Sequence, residues 1–141
     1  MTATSRTLHH VGEWKVELRA STLEELFIQL ARTLARAGGP CSEEPSGTAW
    51  ERVELDAQDH ATLLADWANE LIGRSEAAVL TYQDVRHLVI NRRPDGAVQL
   101  TADIRGAPVA EWRSPVKAAT YHDASVSRVA NEWRAVILLD V

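Results

Sequence analysis

Residues 13–20 read Glu-Trp-Lys-Val-Glu-Leu-Arg-Ala, in which charged and apolar side chains alternate without exception. A period of two places the apolar residues on one face of a strand and the charged residues on the other. Ser-Thr-Leu-Glu follows at residues 21–24 and has the form of a capping box, which predicts the start of a helix. That helix ends before Gly-Gly-Pro at residues 38–40, and its apolar stripe consists of Leu23, Leu26, Phe27, Leu30 and Leu34.

A second strand and a second helix follow, and then several strands. Residues 48–57 predict a strand, and Asp59 can cap a helix over about residues 60–75. From Leu80 onward strand patterns recur up to residue 141. The order β-α-β-α-β-β-β-β predicts an α+β fold in which two helices pack on one mixed sheet. Without a repeat or a linker, we expect one domain over residues 1–141.

Composition indicates an ordinary soluble protein, with 45% apolar and 25% charged residues in a chain of 141. No segment approaches the ~20 apolar residues that cross a bilayer, and residues 1–10 lack the apolar core of a signal peptide. The one cysteine, Cys41, lies in a predicted loop and has no partner for an internal disulfide. We therefore expect a cytoplasmic protein without membrane contact.

The net charge of −5 argues against autonomous binding of nucleic acid, which usually requires a strongly basic surface. Basic residues do cluster in the second half of the chain, and we interpret them as solvated strand and turn residues. They are Arg86, Arg92, Arg93, Arg105, Arg113 and Lys117. If RNA is involved, we expect a partner to hold it.

The histidines lack a recognised metal-binding spacing. His9 and His10 are adjacent, so on a strand they point to opposite faces. His60 falls in the first turn of the second helix, where we expect it to be exposed. His87 alternates with apolar residues and is predicted to be a hydrogen-bonded core or interface residue. His122 lies on a predicted strand after a tyrosine, and its role stays open.

The second helix carries Asp66, Asn69 and Glu70 at positions i, i+3 and i+4, hence on one face. This face could serve as a polar patch for a partner. Because most amphipathic helices have such a face, we favour the interpretation that it is the solvated side of the helix.

The last strand ends with an acid. Residues 133–141 read Trp-Arg-Ala-Val-Ile-Leu-Leu-Asp-Val, so Asp140 lies beside the α-carboxylate of Val141. Chain termini are usually polar and frayed unless something holds them. Two adjacent anionic oxygen donors are costly to hold together without a cation. These two residues are therefore the first candidates for chemistry.

Five motifs in consistent order resemble the archease family over nearly the whole length. They are His-Val-Gly-Glu (10–13), Thr-Leu-Glu-Glu-Leu-Phe (22–27), Leu-Leu-Ala-Asp-Trp-Ala-Asn-Glu-Leu-Ile (63–72), Lys-Ala-Ala-Thr-Tyr-His (117–122) and Leu-Asp-Val (139–141). The resemblance implies an accessory protein rather than an enzyme. Archeases assist the RtcB-type RNA-splicing ligase in tRNA splicing and RNA repair, promoting its guanylylation and its multiple turnover. RNA would be met only indirectly, through the ligase.

The resemblance also implies a divalent-metal site whose ligands, transferred by position, are Glu13, Asp140 and Val141. If the first and last predicted strands are antiparallel neighbours, these residues meet at one end of the sheet. Oxygen donors suit Ca²⁺, with Mg²⁺ or Mn²⁺ as alternatives, whereas Zn²⁺ prefers nitrogen or sulfur. Glu13 stands where the family has aspartate. The simpler alternative is that Asp140 only solubilises the terminus.

Two other functions are open from the sequence. The chain could be a chaperone or modulator of an RNA-modifying enzyme such as a tRNA methyltransferase, with a metal serving only stability. A hydrolase using Asp140 and His122 would need an activated nucleophile, and the sequence has no recognisable one.

Overall fold

The computed structural model describes residues 3–39 and 48–141 of the chain. Within these ranges it has seven strands and two helices. In chain order they are β1 (Thr4–His10), β2 (Glu13–Ala20), α1 (Leu23–Ala37), β3 (Glu51–Ala57), α2 (His60–Ala78), β4 (Leu80–Arg92), β5 (Val98–Pro108), β6 (Ala118–Val129) and β7 (Glu132–Asp140). The segment with Cys41, predicted to be a loop, lies outside the described residues.

The strands form two antiparallel sheets in the described part of the chain. The first sheet has the order β1-β2-β7-β6, and the second has the order β3-β5-β4. In the first sheet, β2 is central and pairs with β1 on one side and with β7 on the other. The N-terminal and C-terminal segments of the sequence are therefore direct neighbours in the fold.

Both helices begin at the predicted caps. The side chain of Thr22 accepts a hydrogen bond from the backbone N–H of Glu25 at 3.2 Å, and Asp59 accepts one from that of Thr62 at 2.7 Å. The hydrogen bonds from Thr62 lower the pKa of the Asp59 carboxyl. Such caps satisfy N–H groups that the first helical turn leaves unpaired.

One continuous apolar core joins the two sheets and the two helices. The alternating apolar face of β2, with Val16, Leu18 and Ala20, is at most 1% exposed. Trp67 of α2 is fully buried, and its Nε1–H donates to the carbonyl oxygen of Phe27 in α1 at 2.9 Å. This bond gives the indole its polar partner and ties the helices to each other.

The α+β class is confirmed, and so is the predicted order of elements from β2 onward. The structure adds β1, which has no clear strand pattern in the sequence because Leu8 is its one large apolar residue. It also corrects the single mixed sheet to two antiparallel ones. The α2 crossover does leave β3 parallel to β4, but β5 lies between them and pairs antiparallel with both. None of the helices in the described ranges has the length and apolarity needed to cross a membrane.

Candidate metal centre

The pairing of β2 with β7 brings the predicted site residues together. Glu13 and Asp140 are direct partners in the register of this antiparallel pair. Directly opposite residues share one face of a sheet, with their Cβ atoms about 5 Å apart. This is the face of the first sheet that also carries Lys15, Glu17 and Arg19, and we call it the outer face.

Backbone hydrogen bonds fix the chain at Asp140 and Val141. The N–H of Val141 donates to the carbonyl oxygen of Gly12 at 3.2 Å, and the N–H of Lys117 donates to that of Asp140 at 2.8 Å. Gly12 has a φ of 76° in the turn between β1 and β2, a conformation that favours glycine. The end of β7 is thus held from both sides.

The chemistry of the donors fits a hard divalent cation. Two neighbouring carboxylates supply oxygen ligands of the kind that Ca²⁺ takes in flexible geometry, and Mg²⁺ takes them with retained waters. Among the residues that the structure describes, no group of three or more His, Cys, Asp or Glu side chains is arranged to hold a metal ion. The third ligand of the predicted set is the main-chain carboxylate of Val141. We call Glu13, Asp140 and this carboxylate the acidic rim.

A depression of about 400 Å³ adjoins the rim on the outer face. It is lined by Glu13, Lys15, Asp123, Ser125, Val136 and Leu138. Asp123 reaches this region because β6 bulges there: Thr120 pairs with Leu138, but the next pair is Ser125 with Val136. His122 is 83% exposed, and its Nε2 lies 3.2 Å from the Asp123 carboxylate.

Two of the three residues on the helix face predicted to be solvated, Asp66 and Asn69, instead hold β6 in place. Asn69 donates to the carbonyl oxygen of Ala119 at 3.1 Å and accepts from the N–H of the same residue at 2.8 Å. Asp66 accepts a hydrogen bond from the Tyr121 hydroxyl, which raises the pKa of that tyrosine. We call these contacts the α2–β6 latch. Two of the five sequence motifs therefore meet in space, directly beside the strand pair that carries the rim.

Comparison with known proteins identifies the family. The model of the Archease protein family matches residues 6–141. The chain belongs to the archease family.

Its relatives include the archeases of Methanosarcina barkeri and Methanopyrus kandleri. The first is 26% identical, over 95% of this chain and 93% of the relative. The second is 27% identical, over 95% of this chain and 96% of the relative. The solution structure of Methanobacterium thermoautotrophicum protein 1598 shares the fold, with a TM-score of 0.76, 22% identity and coverage of 97% and 98%. A Thermotoga maritima structure described as an archease and possible chaperone has a TM-score of 0.50, 18% identity and 96% coverage of both chains.

Two histidine predictions are corrected in this member of the archease family. His87 is not a core residue: its side chain is 70% exposed, because a bulge after Arg86 and a φ of 54° turn it outward. The predicted hydrogen bond is present, since its Nδ1 lies 3.1 Å from the Asp103 carboxylate. His60 is partly buried rather than exposed, since its ring packs edge-on against Trp133, with 6.1 Å between the ring centroids. Burial is the main cause of its lowered pKa.

The arginines predicted to be solvated form ion pairs and contacts with an aromatic ring. Arg86 and Arg105 lie over the ring of Trp50, at 3.9 and 4.5 Å from its centroid. They also pair with Asp103 and Asp84 at 3.4 and 3.1 Å. These contacts neutralise much of the charge that a polyanion would need.

Proposed function

We propose that this chain is an accessory protein, not an enzyme, that activates an RtcB-type RNA ligase and presents a divalent cation at the acidic rim. The observation that supports this most directly is the register of Glu13 opposite Asp140, beside the hydrogen-bonded end of β7. The choice of an RtcB-type ligase as the partner rests on the five sequence motifs that resemble the archease family. RNA reaches the complex through the ligase.

The acidic rim would hold the cation with oxygen donors from both ends of the sequence. A bound Ca²⁺, or in its place Mg²⁺ or Mn²⁺, would offset the repulsion between the two carboxylates and leave coordination positions for groups of the partner. The protein's own contribution is rigidity. Hydrogen bonds from Lys117 and Val141 hold the backbone of the rim, and the α2–β6 latch supports the neighbouring strand.

Asp140→Asn tests the function, because it removes one negative charge at nearly constant shape. We expect it to abolish stimulation of ligase guanylylation and multiple turnover, while the circular dichroism spectrum stays unchanged. Glu54→Gln is the matched control, since Glu54 is an exposed acid of the second sheet that pairs with Arg52. Ligase turnover at the wild-type level with the Asp140 variant would contradict the proposal.

The ligand set has its own test, which isothermal calorimetry with Ca²⁺ provides. Extending the chain by a few residues beyond Val141 moves the terminal carboxylate away and should weaken binding. Glu13→Gln should weaken it as well, and Glu13→Asp should retain it, because a carboxylate remains at that position. Unchanged affinity in the extended protein would remove Val141 from the ligand set.

The second candidate is a chaperone or modulator of an RNA-modifying enzyme such as a tRNA methyltransferase. The description of the Thermotoga maritima structure as a possible chaperone supports this second candidate. Affinity capture from the native host separates the two. Recovery of an RNA ligase supports the first candidate, and recovery of a methyltransferase supports the second.

A further inference from the structure

The outer face of the first sheet carries a second polar region, at the end opposite the acidic rim. Four residues are aligned across all four strands by direct register: Thr4 with Arg19, Arg19 with Arg134, and Arg134 with Ser127. All four are exposed. Each offers a hydrogen-bond donor, and the row contains no carboxylate, so we call it the donor row.

The two guanidinium groups at the centre of the donor row are placed unfavourably for the protein alone. Like charges directly opposite each other on an antiparallel pair destabilise the sheet. Arg134 is partly neutralised by Glu132 at 2.7 Å, but Arg19 has no ion pair with any residue that the structure describes. The nearest acid on its own strand face, Glu17, lies 3.9 Å from Lys15. An anion bound between the arginines would relieve the conflict.

Two depressions give such an anion room, and both are lined by Arg19 and by its neighbour on the same face, Glu17. One, of about 370 Å³, is lined by Thr4, Ser5, Arg6, Glu17 and Arg19. The other, of about 190 Å³, is lined by Glu17, Leu18, Arg19, Arg134, Ala135 and Val136. A ligand that occupies both depressions therefore extends across the row.

We propose that the donor row binds consecutive phosphate groups of single-stranded RNA. Guanidinium groups bind phosphate oxygens in pairs of hydrogen bonds, and hydroxyl groups add further donors. Three strand spacings make the row about 14 Å long, which exceeds one phosphate group and suits a chain of them. This direct contact departs from the expectation that RNA is met only through the ligase.

The donor row is separate from the acidic rim and does not rest on the proposed function. Arg19 and Glu13 lie six residues apart on one strand, which corresponds to about 20 Å. The net charge of −5 opposes long-range attraction of RNA, so binding is expected to be weak and to depend strongly on salt.

The test is fluorescence anisotropy with a labelled single-stranded RNA of about 12 nucleotides at low salt. Arg19→Thr should weaken binding several-fold and lower the slope of log affinity against log salt by about 0.7, the value for one lost phosphate contact on a single strand. Arg32→Ala is the control, because Arg32 is an exposed arginine of α1 outside the first sheet. It removes the same charge and should leave binding unchanged.

A stability measurement distinguishes ligand binding from a structural role of Arg19. If the arginine serves a ligand, Arg19→Thr should keep or raise the thermal midpoint, because it removes a like-charge pair. Equal loss of binding in the Arg19 and Arg32 variants would overturn the proposal, and so would absence of RNA binding by the wild-type protein. If polyglutamate displaced the labelled RNA as effectively as unlabelled RNA does, the donor row would be assigned to an acidic protein segment instead. Each assay uses the protein alone, so its failure leaves the accessory function standing.

Discussion

Asn69 takes the place of a strand partner for β6. Its side-chain amide forms a closed pair of hydrogen bonds with the backbone of Ala119, at the point where β6 begins. Leaving a partly buried backbone group without a hydrogen-bond partner lowers stability by more than the formed hydrogen bond adds to it. Next to it, the Asp66 carboxylate holds the Tyr121 hydroxyl, so one turn of helix positions the strand that flanks Asp140.

We predict that Asn69→Ala lowers the free energy of unfolding by about 1–3 kcal/mol, because it leaves two backbone groups of Ala119 without partners. It should also weaken Ca²⁺ binding, since Ala118 pairs with Asp140. Urea unfolding and calorimetry measure the two effects. Asn91→Ala, at an exposed strand position, is the control. Unchanged Ca²⁺ affinity in a destabilised Asn69 variant would limit the latch to a structural role.

His60 should make stability depend on pH. Its pKa lies below the ordinary value of 6.5, mainly because burial disfavours the charged ring and secondarily because Arg92 is near. The folded state then binds fewer protons than the unfolded state, so stability is full above about pH 6.5 and falls as pH drops through the folded pKa. His60→Gln should flatten this decline in urea titrations between pH 7 and 5. A parallel decline in both proteins would contradict the assignment.

At the scale of elements, close packing fixes how α1 ends. Gly38 follows the last residue of α1, and a Cβ atom there would lie 2.6 Å from the ring of Trp112 and 2.8 Å from the methyl group of Thr81. Its φ of −72° is open to any residue, so close contact rather than backbone conformation selects glycine. The irregular segment between β5 and β6 is thereby packed against the first helix.

We predict opposite effects for two glycine substitutions. Gly38→Ala should destabilise the protein by about 1–3 kcal/mol, because Trp112 or the helix end must move. Gly73→Ala should stabilise it by about 0.5–1 kcal/mol, since a Cβ at that exposed position in α2 meets nothing within 4 Å. Thermal unfolding measures both. A Gly38 variant as stable as the wild type would show that Trp112 shifts without cost.

The elements were predictable from the sequence wherever the pattern is local. The alternation of residues 13–20 and the caps at Thr22 and Asp59 predicted β2 and both helices correctly. The orientation of His87 was not predictable, because one extra residue in β4 exchanges the inner and outer faces of the strand after Arg86. Pattern reasoning assumes an unbroken period of two, and a bulge leaves no reliable mark in the sequence.

At the scale of the whole molecule, one core serves both sheets, and Trp67 lies within it. Trp67→Phe removes the indole N–H that bonds to Phe27 and leaves a cavity. We predict a loss of about 2–4 kcal/mol, with far-UV and near-UV circular dichroism still changing in one transition. Two separated transitions would show that the sheets unfold independently.

The meeting of Glu13 with Asp140 was predictable, because it required only that two terminal strands be antiparallel neighbours. The α2–β6 latch was not, since Asp66 and Asn69 on a helix face look the same whether water or a strand lies against them. The donor row was missed for the same reason. Arg19 and Arg134 become neighbours only through a register that no local pattern contains.

The central position of β2 has a consequence for synthesis of the chain. Translation delivers β1, β2 and α1 first, and one edge of β2 then stays without a partner until β7 emerges. Such late, non-local pairing is slow, and an open strand edge can pair with other chains in the meantime. The acidic rim likewise forms only when β7 docks. A nascent or truncated polypeptide without β7 therefore lacks it, so the rim marks a molecule in which β7 has paired with β2.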